Sequence, residues 1–327
     1  WVPSLGYGLA AVLLLSFSWL FALMGKPYLP ASFAPDEDKP IEILRLPRAA
    51  QRTRVGAGVL CVLLIAHALF VEHRMMRAVS PVGVGGESVR MVFWNAATDF
   101  MEDYADRATS VHPAVIAIAN PAAYCKWETI RAAAGEGSDA QRYGRLAFFS
   151  PWSILRWGGT SLDIKGAKPR YFDGKPSVDE GQAMFVEVDA TAQFGRPIVV
   201  WLLDLPSDIN LSRQDNALQA AATLRAFAGP VYVRGKGGLD EQVSAPAGFP
   251  APDIIVGDFN TPRGSASLAT ITRDLVNVYD QVGYGIEPTW HRELPVFAID
   301  HVYTGGVVRA SHFTSVDVGA GKHLLQV

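Results

Sequence analysis

Asp253-Ile-Ile-Val-Gly-Asp-Phe-Asn-Thr-Pro262 is the stretch from which the rest of the chain can be read. Residues 254–256 form a short apolar strand that Gly257 stops. Asp258 and Asn260 follow two residues apart, and the two-residue period of an extended backbone puts both side chains on one side. Thr261-Pro-Arg-Gly264 then turns the chain away. A carboxylate and a carboxamide together at a buried strand end suit a metal ion, or a water held in fixed geometry. They equally suit a plain strand end, because Asp and Asn are common turn residues.

Further out, other apolar runs end the same way. Residues 89–94 end at Asn95, 115–119 at Asn120, 146–149 at Ser150 and 198–203 at Asp204, and a strand over 297–303 carries Asp300 and His301. Residues 184–188 and 198–203 read as paired strands, with a last strand over 311–318. Helical spacing of Leu218, Ala221, Ala222 and Leu224 marks a helix over 212–227, and shorter helices are expected over 104–111 and 265–274. Each polar residue alone can be a simple terminator. Strands that end together at one rim would instead gather them around a single crevice.

The 327 residues allow one large domain and an appendage. Residues 80–327 hold 21 Lys and Arg against 27 Asp and Glu, so this part lacks the basic footprint of a general nucleic-acid binder, and long nucleic acid is not favoured as a partner. Two cysteines, Cys61 and Cys125, imply no disulfide framework, and no Cys/His spacing resembles a structural zinc site. No Gly-x-Ser-x-Gly elbow is present, and Gly319-Ala-Gly-Lys322 is too short for a phosphate loop.

The first 79 residues read differently. Residues 1–25 carry no charge, and 5–24 are apolar enough to cross a bilayer. A second apolar run, 55–71, lies between Arg54 and Glu72 at the short limit for a span. Six Lys and Arg lie between the runs (Lys26, Lys39, Arg45, Arg48, Arg52, Arg54) against Arg74 and Arg77 after them. By the positive-inside rule the connecting segment is cytoplasmic, and everything from 72 onward is extracytoplasmic. The reading is therefore a membrane anchor over 1–79, a Gly/Pro linker over 80–87 and a domain over 88–327, with the lipid bilayer as a partner. The chain begins at Trp1 rather than Met, so an upstream piece is also an expectation.

The order of motifs in 88–327 resembles the endonuclease/exonuclease/phosphatase superfamily, which shares the DNase-I-like fold. The likeness is carried by Gly257-Asp-Phe-Asn260, by Ile299-Asp-His-Val302 some forty residues on, and by His323. Phe148-Phe-Ser-Pro-Trp-Ser-Ile154, Arg213-Gln214 and Pro288-Thr-Trp290 match weaker family motifs. The resemblance implies an α/β fold, a four-layer sandwich of two mixed sheets flanked by helices, and phosphoester hydrolysis with a divalent cation, Mg²⁺ or Mn²⁺. It implies that Asn95 helps position the phosphate or the metal, that Asp258 activates the attacking water, and that Asn260 hydrogen-bonds the phosphate. Asp300 is expected to fix the tautomer of His323, whose imidazolium stabilises phosphate charge. Arg213 is expected to bind substrate.

Three residues depart from the family pattern. Asn120 stands where a strand-ending Glu normally holds the metal, Asp204 where a His faces the phosphate, and Lys322 where an Asp precedes the final His. An amide oxygen can coordinate Mg²⁺ but lacks the charge that draws a hard cation from water. Two outcomes stay open. Asn120 and Asp204 together hold the ion while Lys322 neutralises substrate phosphate, or the domain has lost catalysis and acts as an anchored binding module. A passive cap on a transport or membrane-assembly protein is the remoter option. Glu128, eight residues past Asn120, falls in a segment expected to be helical.

Overall fold

The computed structural model describes residues 88–327, apart from 98–103, 122–125, 136, 168, 173–174, 236–238, 245–246, 286 and 294–296, with a few positions between 56 and 67. The chain divides into two units, Val2–Arg77 and Ala78–Val327. Among the described residues no helix is long and apolar enough to cross a membrane. The run 5–24, the linker 80–87, Cys61 and Cys125 lie outside the described residues, as does most of 55–71.

In chain order the strands are β1 Met91–Asn95, β2 Val115–Ala119, β3 Asp139–Tyr143, β4 Leu146–Ser150, β5 Ile154–Ser161, β6 Arg170–Phe172, β7 Lys175–Ser177 and β8 Gln182–Val188. They continue with β9 Ile198–Asp204, β10 Val231–Arg234, β11 Asp240–Val243, β12 Ile254–Asp258, β13 Val276–Asn277, β14 Asp300–Thr304, β15 Ser315–Val316 and β16 Leu325–Gln326. The helices are α1 Tyr104–Thr109, α2 Trp127–Ala133, α3 Thr191–Phe194, α4 Arg213–Ala226, α5 Ala269–Thr272 and α6 Val278–Val282. One mixed sheet runs β15-β16-β1-β2-β4-β3 and a second β11-β10-β5-β8-β9-β12-β14-β13, with β6 and β7 as a separate hairpin.

The period of two explains the layers. Phe93, Ala117 and Phe148 of the first sheet meet Met184, Val200 and Val256 of the second in a core between the sheets. Their neighbours point the other way: Trp94, Ile118 and Phe149 pack with Ala108 of α1 and Ile130 of α2. Phe185, Trp201 and Ile255 pack with Ala217, Ala220, Ala221 and Leu224 of α4. The order helix, sheet, sheet, helix is the four-layer arrangement expected. α4 starts where Ser212 caps it, accepting from the Asp215 amide. Its small inward residues recur at helical spacing and let it lie close on the sheet. Of the residues whose spacing marks this helix, Ala221 and Leu224 are buried and Leu218 and Ala222 are exposed.

Some boundaries differ from expectation. The segment 265–274 breaks into a 3₁₀ turn, Ala266–Leu268, and α5, and it stops where Arg273 takes φ +52°. The last strand shrinks from 311–318 to β15, which pairs at only two positions. The strand placed at 297–303 begins at Asp300, while Phe297 bridges to Trp290.

What matters for the site is which strand ends coincide. β1 and β2 are parallel, as are β9 and β12, so Asn95 lies opposite Ala119 and Asp204 opposite Asp258. β14 is antiparallel to β12 and begins at the same rim, with Asp300 opposite Asp258. β4 and β8 start there too, since Leu146 lies opposite Ala119 and Gln182 opposite Asp204. Gly257 has a specific reason to be glycine: a Cβ there would lie 2.0 Å from the Leu203 carbonyl oxygen on the adjacent strand.

Candidate active site

The rim collects Asn95, Asp204, Asp258, Asp300 and His323 as buried polar groups, with Asn120 partly exposed beside them. Asn120 and Asn260 both adopt left-handed backbone, φ +50° and +47°. Asn tolerates that region better than most residues, which suits it to ending a strand with its amide turned into the crevice.

Asp258 is the centre. Its Oδ2 accepts from Asn95 Nδ2 at 2.7 Å and its Oδ1 from the Asn260 backbone amide at 2.8 Å. His323 Nδ1 donates to Asp300 Oδ2 at 2.7 Å, and its Nε2 lies 3.4 Å from Asn95 Nδ2. Asp300 is itself positioned by Thr289, whose hydroxyl accepts from the Ile299 and Asp300 amides at 3.1 Å each, and by Gln326, which donates to the Asp300 carbonyl. The expected Asp300–His323 pair is thus formed, with Asn95, which donates to Asp258, beside it.

Burial, and then the charge of Asp300 alongside, push the Asp258 carboxyl well above its ordinary 3.8. Burial lowers the His323 pKa, but the charge and hydrogen bond of Asp300, with Asp258 and Asp204 behind it, outweigh this and raise it to about 9. His323 is therefore a buried imidazolium at neutral pH. A buried carboxylate whose pKa is raised, next to a buried cation, is an arrangement that suits general-base chemistry.

Asp204 sits apart from this trio. Burial raises its pKa to about 6 against the opposing charge of Arg145, and Asn120 hydrogen-bonds it. Arg145, immediately before β4, places Nη2 2.7 Å from Asp179 Oδ1 and 3.1 Å from Asp204 Oδ2. The second contact is an ion pair without hydrogen-bond alignment, since Asp204 Oδ2 has no hydrogen-bond partner. The Arg145 carbonyl accepts from the Asn120 amide at 2.8 Å, which fixes the two residues across from each other at the rim.

Other expected site residues have different roles. Asn260 donates its side-chain amide to the Leu205 carbonyl at 2.7 Å, so that group braces the neighbouring loop. Arg213, at the start of α4, donates to the Pro206 carbonyl at 3.0 Å, and burial lowers its pKa against the pull of Asp258. It faces the rim without touching the trio. Lys322 is exposed, and its carbonyl accepts from the Arg292 amide. His301 is buried and structural, Nε2 donating to the Thr261 carbonyl at 2.8 Å. Glu128 lies in α2, as expected.

By spacing alone, Asp258, Asp300 and His323 could hold a metal ion, since one ligand atom of each lies within 4.8 Å of the others. Their surroundings do not fit one. The amide nitrogen of Asn95, a donor, is 2.7 Å from Asp258 Oδ2 and 3.4 Å from His323 Nε2, so it occupies the space between two of the three. It cannot turn over without loss, because Asn95 Oδ1 already accepts from the Ala97 amide at 2.9 Å and from Asn120 Nδ2 at 3.2 Å. Mg²⁺ also demands oxygen ligands, and an imidazole is a poor substitute. Of the pair expected to hold the ion, Asp204 already faces a cation, with its Oδ2 3.1 Å from Arg145, and Asn120 donates through Nδ2 to Asn95.

Sequence reasoning missed Arg145 and Asp179. An arginine in a turn after Gly144 follows no motif, and its partners lie 34 and 59 residues away. The available signal was its place at the start of the strand antiparallel to 115–119, directly across from Asn120.

No family model matches this chain, and no curated protein matches it. Solved structures similar to it include a humanized D. rerio TDP2 carrying 14 mutations, with TM-score 0.49 and 14% identity over 73% of this chain and 96% of that one. An endonuclease/exonuclease/phosphatase family protein from Bacteroides thetaiotaomicron has TM-score 0.48 and 13% identity over 74% and 96%. The mannosyl-6-phosphatase Bt3783 from the same organism has TM-score 0.45 and 13% identity over 73% and 98%.

Proposed function

We propose that this chain is a phosphoester hydrolase in which Asp258 activates the attacking water. The observation that carries this is the gathering at one buried rim of Asp258, held by Asn95, and the Asp300–His323 pair. Each Asp258 oxygen accepts one hydrogen bond and keeps a lone pair for a water. As the water oxygen bonds to phosphorus, its proton passes to Asp258 and the bond from phosphorus to the leaving oxygen breaks. The negative charge that develops on the phosphoryl oxygens is met by the Nε2–H of the His323 imidazolium, which Asp300 holds in place from behind. No step is routed through a metal.

The membrane expectation remains part of the proposal. Anchoring through 5–24 and 55–71, with the domain extracytoplasmic, is supported by the charge-free first 25 residues and the basic connecting segment. The described positions in 56–67 are helical and expose Val59, Leu60, Val62 and Leu63, an apolar surface that a bilayer would cover. One observation favours binding without turnover instead: the Asn260 amide expected to hold phosphate is engaged by Leu205.

The deciding experiment follows hydrolysis of a generic phosphodiester by the purified full chain, with and without Mg²⁺ or Mn²⁺. Turnover is expected, and Asp258→Ala and His323→Ala should each remove most of it. Absence of turnover under every condition would leave only the binding reading, and turnover untouched by both substitutions would overturn the roles given to Asp258 and His323.

A further inference from the structure

The rim holds a cation in a place that neither the motifs nor the proposed reaction accounts for. Arg145 reaches the crevice from the start of β4, directly across from Asn120. Two carboxylates pin one nitrogen of its guanidinium: Nη2 contacts both Asp179 and Asp204. Among the described residues Nε is buried without a hydrogen-bond partner, and no contact engages Nη1. The two N–H groups of Nη1 therefore stay available on a permanently charged guanidinium, while Nε is enclosed. Two donors on one cationic nitrogen can meet phosphate oxygens by charge-assisted hydrogen bonds. Meanwhile Asn120, the neighbouring strand-end amide, donates through Nδ2 to Asn95.

We propose that the Arg145 guanidinium, clamped by Asp179 and Asp204, binds the non-bridging oxygens of a phosphoester and makes anion binding at this rim independent of a divalent cation. A divalent ion next to Asn120 would be close to this guanidinium and would have to displace it from Asp204. A cation supplied by the chain needs no such exchange. The side chain is 40% exposed, enough to be met by ligand, while Asp204 behind it is 5% exposed and is held by the pairing. Asp179 and Asp204 are positioning residues, and Arg145 is the ligand-binding one. The identity of the ligand as a phosphoester rests on the hydrolase reading above.

The test uses the purified full chain and inorganic phosphate as the probe, titrated calorimetrically in EDTA and again in millimolar Mg²⁺. Phosphate should bind in EDTA, with an affinity that Mg²⁺ changes less than twofold. Arg145→Gln should weaken binding at least tenfold and Arg145→Lys by less, since the charge survives without the guanidinium. Asp179→Asn, which keeps the Asp204 contact, should weaken it severalfold and guards against misfolding of the Arg145 variants. No phosphate binding in EDTA, binding that appears only with Mg²⁺, or unchanged affinity in Arg145→Gln would each overturn the proposal. Phosphodiester turnover measured on the same samples separates the two readings. Binding in EDTA without turnover removes the hydrolase reading and leaves this one, whereas Mg²⁺-dependent turnover that is intact in Arg145→Gln does the reverse.

Discussion

Replacing Asp300 by Asn tests the site most directly, because the change is nearly isosteric and acts on one partner. The Asp300 amide keeps its bond to Thr289, so the strand end stays in place. What is lost is the carboxylate 2.7 Å from His323 Nδ1. In the folded protein His323 titrates near 9 instead of the ordinary 6.5, a displacement equivalent to about 3 kcal/mol. The sign follows from the raised value: the folded state binds this proton more tightly than the unfolded chain does. Its contribution to stability is therefore complete below about pH 6.5 and lost as pH rises through about 9. In Asp300→Asn, burial acts with only the more distant carboxylates opposing it, so the imidazolium should be lost at lower pH. The substitution also relieves repulsion between Asp258 and Asp300, which can raise absolute stability. The pH dependence, rather than the absolute stability, is therefore the diagnostic quantity. Denaturant unfolding of the full chain between pH 7 and 9.5 should show wild-type stability falling by up to about 3 kcal/mol, with most of that slope absent in the variant. Turnover at pH 8 should drop by about a hundredfold through loss of the cation. Parallel stability profiles across that window would refute the role assigned to the pair.

Three further outcomes follow from the same structure. Gly257→Ala forces a Cβ against the Leu203 carbonyl, so it should destabilise by about 3 kcal/mol and lower the melting temperature by several degrees. His301 is buried, and its pKa is lowered to about 4 chiefly by that burial, so its contribution is present above about 6.5 and lost as pH falls through about 4. Stability should therefore fall between about pH 6.5 and 4, and His301→Gln should flatten that limb in a circular-dichroism titration. Trp201→Ala removes a buried ring that packs against Phe249 and α4, and it should cost about 3–5 kcal/mol in denaturant unfolding without changing the His323 limb.

The sequence made the trio legible because each member closes or opens a strand and because Gly257-Asp-Phe-Asn260 and Ile299-Asp-His-Val302 fall in the order of a known pattern. The central strands were legible for the same reason: β2, β4 and β9 are continuous apolar runs buried on both faces. β3 and β10 are mostly half-buried and β11 is exposed throughout, so none of them carries a clear period. Asn120 and Asp204 were found, but their task was not. Whether an amide presents its oxygen or its nitrogen to a crevice depends on the partners opposite it, here Asn95 Oδ1 and Arg145. Those partners come from other strands, and local spacing does not contain them.

The cross-strand placement of Asp258 and Asp300 also bears on how the chain is completed. Like charges directly opposite in an antiparallel pair disfavour that pairing. The cation that relieves them arrives with residue 323, next to β16, which closes the other sheet against β1. His323 lies 228 residues from Asn95, so this closure is among the most non-local contacts in the chain. The C-terminal segment thus acts as a latch: trimming the last five residues would remove His323 and β16 together, leaving one sheet with an open edge and the other with two facing carboxylates.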